Sequence, residues 1–126
     1  MPHRERPFFY TTEFEKESLL LRAKATGHGK AEEVQQMFDV LILIAKEKNL
    51  TRLLINVEEL TLDYSSEKMI NILFHIEQQH LDISIARVIN QNEFKNDLIE
   101  LFAEKHNLKI KNFTCEAPAI EWLNNQ

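Results

Sequence analysis

The run Arg52–Val57, RLLINV, sets the strongest limit on what this chain can fold into. It is apolar at successive positions, broken inside only by Asn56. A strand with one face in water would alternate apolar and polar residues; a continuous run needs cover on both faces. RLLINV is therefore expected at the centre of a sheet with packing layers above and below it. Such layers must come from helices, and the segments around this run have the helical period.

Lys30 to Lys48 places Val34, Met37, Phe38, Leu41 and Ala45 on one face at spacings of three and four, with Ile42 and Ile44 widening the stripe. Asn49 is a natural stop. Glu67–Gln79 is expected to be helical, with Met69, Ile70, Leu73, Phe74 and Glu77 along one side. Phe94, Leu98, Leu101 and Phe102 give an amphipathic helix to about His106, and Asn90 with Glu93 has the spacing of a capping box at its start. A last helix follows Thr114, the expected N-cap; Pro118 fits its first turn, and Ile120 and Leu123 point inward beside Trp122.

Strands are expected at Phe8–Phe14, Ser18–Ala25, Arg52–Val57, Ile83–Asn90 and Lys109–Phe113. The first two form a hairpin across the charged break Glu15-Lys16-Glu17. Gly27-His28-Gly29 contains the only two glycines of the chain and is expected to reverse it from strand to helix, with Gly29 as N-cap. The order is ββαβαβαβα, a single-domain mixed α/β sheet of about five strands with four helices. A length of 126 residues suits one domain, 1–126, and 44% hydrophobic with 28% charged residues is an ordinary globular composition.

The totals also exclude functions. A net charge of −5 with no compensating basic patch argues against nucleic acid, whose backbone needs clustered Lys and Arg; MPHRER at the start is short and carries a Glu. The longest apolar run, Val40–Ala45, is too short to span a bilayer, and MPHRERPFFYTTEF lacks the apolar core of a signal peptide. Cys115 is the single cysteine, so neither an internal disulfide nor a cysteine zinc site is available. A soluble, cytoplasmic protein without transmembrane segment is expected.

Between RLLINV and the next helix stands Leu60–Lys68, LTLDYSSEK. Together, Arg52–Ile70 (RLLINVEELTLDYSSEKMI) resembles the STAS domain shared by sulfate transporters and anti-sigma-factor antagonists. In those antagonists a buried strand ends in an acidic-leucine turn, here Glu58-Glu59-Leu60, and a serine pair opens a helix, here Ser65-Ser66. The resemblance implies that Ser65 is phosphorylated and that Asp63, Tyr64, Ser65, Ser66, Glu67 and Lys68 contact a protein partner or a second copy of the chain. Two positions depart from that pattern: Tyr64 replaces the aspartate before the serine, and Glu67 replaces the glycine after the pair. The ending Ala117–Leu123 and the strand ISIARVI are closer to a divergent group named for its likeness to the stage II sporulation antagonist. For that group amphiphilic or lipid-like ligands have been suggested; an apolar site here would involve Phe38, Leu41, Leu73 and Phe74.

The residues themselves allow blander roles. A serine at the start of a helix accepts from a first-turn N–H, and that contributes about 1 kcal/mol without any modification. Phosphate would add about −1.5 to −2 charges beside Asp63, Glu67 and Glu58-Glu59. His75 and His80 are five residues apart, not the four of a zinc helix, and His3, His28 and His106 have no partner by spacing, so no metal is expected. Cys115 has no readable histidine partner, and the adjacent pairs Glu32-Glu33 and Glu58-Glu59 point in different directions. Gly27-His28-Gly29-Lys30 is too short for a phosphate loop. No cofactor and no catalytic residue is expected, and binding rather than catalysis is the function. One puzzle remains in Leu19-Leu20-Leu21 and Phe8-Phe9-Tyr10, where some apolar side chain must face outward.

Overall fold

The fold is described by a computed structural model covering residues 6–79 and 82–126. The chain runs β1 (Phe9–Glu15), β2 (Leu20–Gly29), α1 (Ala31–Glu47), β3 (Arg52–Asn56), β4 (Leu60–Leu62), α2 (Ser66–Glu77), β5 (Ser84–Val88), α3 (Lys95–Lys105), β6 (Ile110–Phe113) and α4 (Glu116–Asn124). The sheet has the order β1-β2-β3-β5-β6, with β4 paired to β2 off that path. Only β1 is antiparallel to its neighbour; all other pairs are parallel.

β3 lies mid-sheet, as its unbroken apolarity requires. Leu53 and Ile55 face the large core under α1, α2 and α3, while Leu54 faces a smaller cluster under α4. The stripe on α1 is buried at Val34, Met37, Leu41, Ile42 and Ala45. Burying each of the four larger side chains contributes about 1.5–3 kcal/mol, which is what holds the helix to the sheet. Beyond the α1 C-cap Lys48, Asn49 adopts φ 55° and reverses the chain, as expected of a stop residue.

The leucine puzzle resolves at the hairpin. Leu19 sits in the turn with φ 52° and is exposed, so Leu20 and Leu21 open β2 and go to opposite faces. Phe9 is likewise the exposed member of its trio, while the rings of Phe8 and Tyr10 meet at 5.8 Å against the core.

Four sequence expectations change. The sheet has six strands rather than about five, because Leu60–Leu62 adds a short strand alongside the far end of β2. Gly27 and Gly29 are not a turn: β2 continues through Gly29, and Lys30 is the helix N-cap. The glycines serve close approach instead. Gly27 has φ +87°, and a Cβ there would fall on the Pro7 carbonyl; one at Gly29 would sit 2.9 Å from Val34 Cγ2. Asn90 caps a local turn rather than a helix, since its side-chain oxygen accepts from the Asn92 N–H at 3.0 Å and α3 begins only at Lys95. The α4 N-cap is Cys115, not Thr114, and no side chain caps that helix.

Candidate functional site

LTLDYSSEK is part strand, part helix start. Leu60 and Leu62 are buried with Thr61 outward between them, and the Asp63 N–H donates to the Gly29 carbonyl at 2.9 Å. The chain then leaves the sheet at Tyr64. Ser65 has extended backbone and caps α2: its hydroxyl oxygen accepts from the Lys68 N–H at 3.2 Å. Ser65, Glu67 and Lys68 are exposed and Ser66 is half-buried. Asp63 and Glu67 flank the serines with negative charge, but the fold supplies a cation that the local sequence does not show. Lys95, from the start of α3, places its ammonium 3.2 Å from the Leu62 carbonyl.

Tyr64 points the other way, inward. Its ring packs against the main core and lines a cavity of about 30 Å³ between the sheet and the helices. Val34, Met37 and Phe38 of α1, Met69, Ile72, Leu73 and Ile76 of α2, and Leu60 and Leu62 of β4 form most of its wall. A volume of this size holds one or two waters. Of the four residues proposed for an apolar site, Phe38 and Leu73 line this cavity. Leu41 is fully buried in the core but does not reach the space, and Phe74 lies on the outside. There Phe74 meets the Phe102 ring edge-on at 5.1 Å, and Phe102 stacks on His106 at 4.0 Å. The difference follows from helix geometry: Leu73 and Phe74 are consecutive on α2 and diverge by about 100°.

One charged side chain lines the cavity, Arg87. It stands in β5, where all five residues are buried, and is 4% exposed. Nη1 donates to Asn112 Oδ1 at 2.8 Å and Nη2 to Asn96 Oδ1 at 3.0 Å. The two asparagines are themselves fixed: Asn112 Nδ2 donates to the Asn96 carbonyl at 2.8 Å, Asn96 Nδ2 to the Asn90 carbonyl at 3.2 Å. Among the described residues no carboxylate lies within 4 Å of the guanidinium, and the ion pairs that they do form are at or near the surface. Burial pushes the Arg87 pKa down to about 10, with Tyr64 and Glu100 pulling it back up, so the group stays charged at neutral pH. Burial pushes the Tyr64 phenol up to about 12; the Arg87 charge opposes that shift and Glu93 adds to it. Tyr64 is thus a neutral hydroxyl donor beside a buried cation.

The sequence reading missed Arg87. Its signal was present, a charged residue in the apolar strand ISIARVI, yet strand periodicity alone does not tell a rim position from a buried one. The other candidate groups go to local structure. Glu33 accepts from the Lys30 N–H at 3.0 Å, Glu58 from Asn56 at 3.1 Å, and Glu59 pairs with Lys24 at 3.2 Å. His75 bridges α2 to Asp39 of α1 at 2.9 Å, and His106 bridges to Glu77 at 2.8 Å. Cys115 is exposed, with the Thr114 hydroxyl 3.9 Å from its sulfur. His3, His80 and most of MPHRER lie outside the described residues. Among the described residues no group of three or more His, Cys, Asp or Glu is placed to hold a metal, and no helix is long and apolar enough to cross a membrane.

No family model matches the chain, and no curated protein matches it. In structure it is similar to an uncharacterised protein of the DUF3478 family with a SpoIIAA-like fold from Shewanella loihica PV-4. The TM-score is 0.58 over 98% of each chain, at 17% sequence identity. The chain therefore has a SpoIIAA-like, STAS-like fold; at this identity the likeness concerns the fold alone.

Proposed function

We propose that residues 1–126 form one STAS-like binding domain, non-catalytic, that holds an amphiphilic small molecule between its sheet and the helices α1 and α2. The observation that carries this reading is the cavity's composition: apolar walls with one buried cation and one half-buried phenol. A largely apolar space with a few convergent polar groups is the usual form of a small-molecule site. At about 30 Å³ the space accepts only the first atoms of a ligand, so a longer chain enters as side chains on α1 and α2 give way. Met37 and Met69 in its wall are well suited to this, being unbranched and adaptable.

Native mass spectrometry of the protein purified from its own cells tests the reading. A non-covalent mass that leaves on collisional activation is expected, together with thermal stabilisation by added decanoate that grows with the logarithm of its concentration. A bare chain that decanoate and decanol both fail to stabilise would count against it.

A second reading, protein-partner binding or self-association through Asp63–Lys68 under control of phosphate on Ser65, is supported by one observation. Ser65 is exposed at the N-terminus of a twelve-residue helix, where anions are favoured, and Lys95 is held close to that loop. The same mass measurement separates the two, since added phosphate localised to Ser65 favours the switch.

A further inference from the structure

Arg87 is an expensive residue to keep where it stands. Removing a guanidinium from water is costly even after relaxation, and a buried ion is normally offset by an opposite charge. Here the two polar neighbours that touch it are neutral amides. If the only task were to tie β5 to β6 and α3, a neutral side chain could hydrogen-bond Asn112 and Asn96 without that cost.

The arrangement leaves donors over. A guanidinium has five N–H groups, and the asparagines occupy one on Nη1 and one on Nη2. Nε has no hydrogen-bond partner among the described residues, and Arg87 is part of the cavity wall. Tyr64 lines the same cavity and carries a hydroxyl that stays protonated.

We infer that Arg87 and Tyr64 form an anion-recognising pole of the cavity, and that its ligand is a monoanionic carboxylate carrying an apolar chain. The inference rests on the cavity being a binding site. A carboxylate supplies the missing counter-charge, accepts from Nε–H and a neighbouring Nη–H side by side, and leaves an oxygen for the phenol. Its single charge balances the single cation. A phosphate dianion would leave one charge uncompensated among apolar walls, with Glu93 and Glu100 close enough to add to the repulsion. The chain of the acid would lie against Phe38, Leu73 and Ile76.

The test titrates the full chain with decanoate, decanol and acetate at neutral pH, following affinity by calorimetry and the Arg87 Nε–H resonance by NMR. Decanoate is expected to bind about tenfold or more tighter than decanol, a difference in keeping with a charge-assisted hydrogen-bonded pair. The Arg87 signal should shift with decanoate and not with decanol. In Arg87→Gln the preference for the acid should fall to about onefold. Equal binding of acid and alcohol with an unmoved Arg87 signal would overturn the pole while leaving the cavity as a site for neutral amphiphiles. Binding of neither would overturn both. An acid preference that survives Arg87→Gln would place the anion elsewhere, and acetate binding as tightly as decanoate would overturn the apolar-chain part. Should Arg87→Gln fail to fold, the wild-type resonance decides alone.

Discussion

On one face of the sheet a nine-residue helix, α4, lies across β3, β5 and β6 and closes a small cluster of Leu20, Leu54, Ala86, Val88, Ala119 and Leu123. On the other, three helices cover a much larger core and still leave a cavity with an arginine in its wall. The same strand serves both. Ala86 and Val88 of β5 face α4, and Ile85 and Arg87 face the helices opposite. The α4 cluster is apolar, with the Phe113 and Trp122 rings packed at its edge, and its rim is polar where Arg22 pairs with Glu116. The opposite face accepts a buried charge and incomplete packing, both of which cost stability, and features of that kind tend to coincide with function.

The sharpest way to break this contrast is to damage the α4 face. Leu123 is 1% exposed, and Leu123→Ala is expected to cost about 2–5 kcal/mol in urea denaturation while leaving decanoate affinity unchanged. A loss of affinity would show that the two faces are coupled through β5. On the opposite face, Arg87→Met leaves Asn112 and Asn96 each short of a donor, about 1–3 kcal/mol per group, but removes a desolvated charge that offsets much of this. The expected net loss is smaller than for Leu123→Ala. A larger one would make Arg87 a structural residue and erase the distinction. The smallest effect belongs to the rim of that face: Ser65→Ala removes the cap on Lys68 N–H and should cost about 1 kcal/mol, whereas Ser65→Asp, which still accepts that bond, should cost a few tenths at most. Equal losses for both variants would mean that the hydroxyl does more than cap.

Much of the fold was legible in order and type because it depends on local pattern. The α1 stripe, the two-sided burial of RLLINV and the Ser65 cap all follow from spacing within a few residues. The strand at Leu60–Leu62 did not, because three residues carry too little periodicity and its partner is the end of β2, more than thirty residues earlier. The two glycines misled for a related reason. Their lack of a side chain signals unusual backbone or close approach equally, and only the N-terminal segment crossing at Pro7 decides between them.

The candidate site divides the same way. The sequence determined that Ser65 begins a helix and that Phe38 and Leu73 belong to apolar faces. It could not show that Tyr64 turns inward, that Phe74 does not, or that Arg87 is enclosed. Those outcomes depend on how strands and helices distant in sequence stack: the pairing of β5 with β6 brings Asn112 to Arg87, and α3 brings Asn96. Period and composition mark the apolar stripe of each element. Which side chains meet inside, and whether a charge among them finds a counter-charge, is set by the tertiary packing, because desolvation and Coulomb energy act through space rather than along the chain.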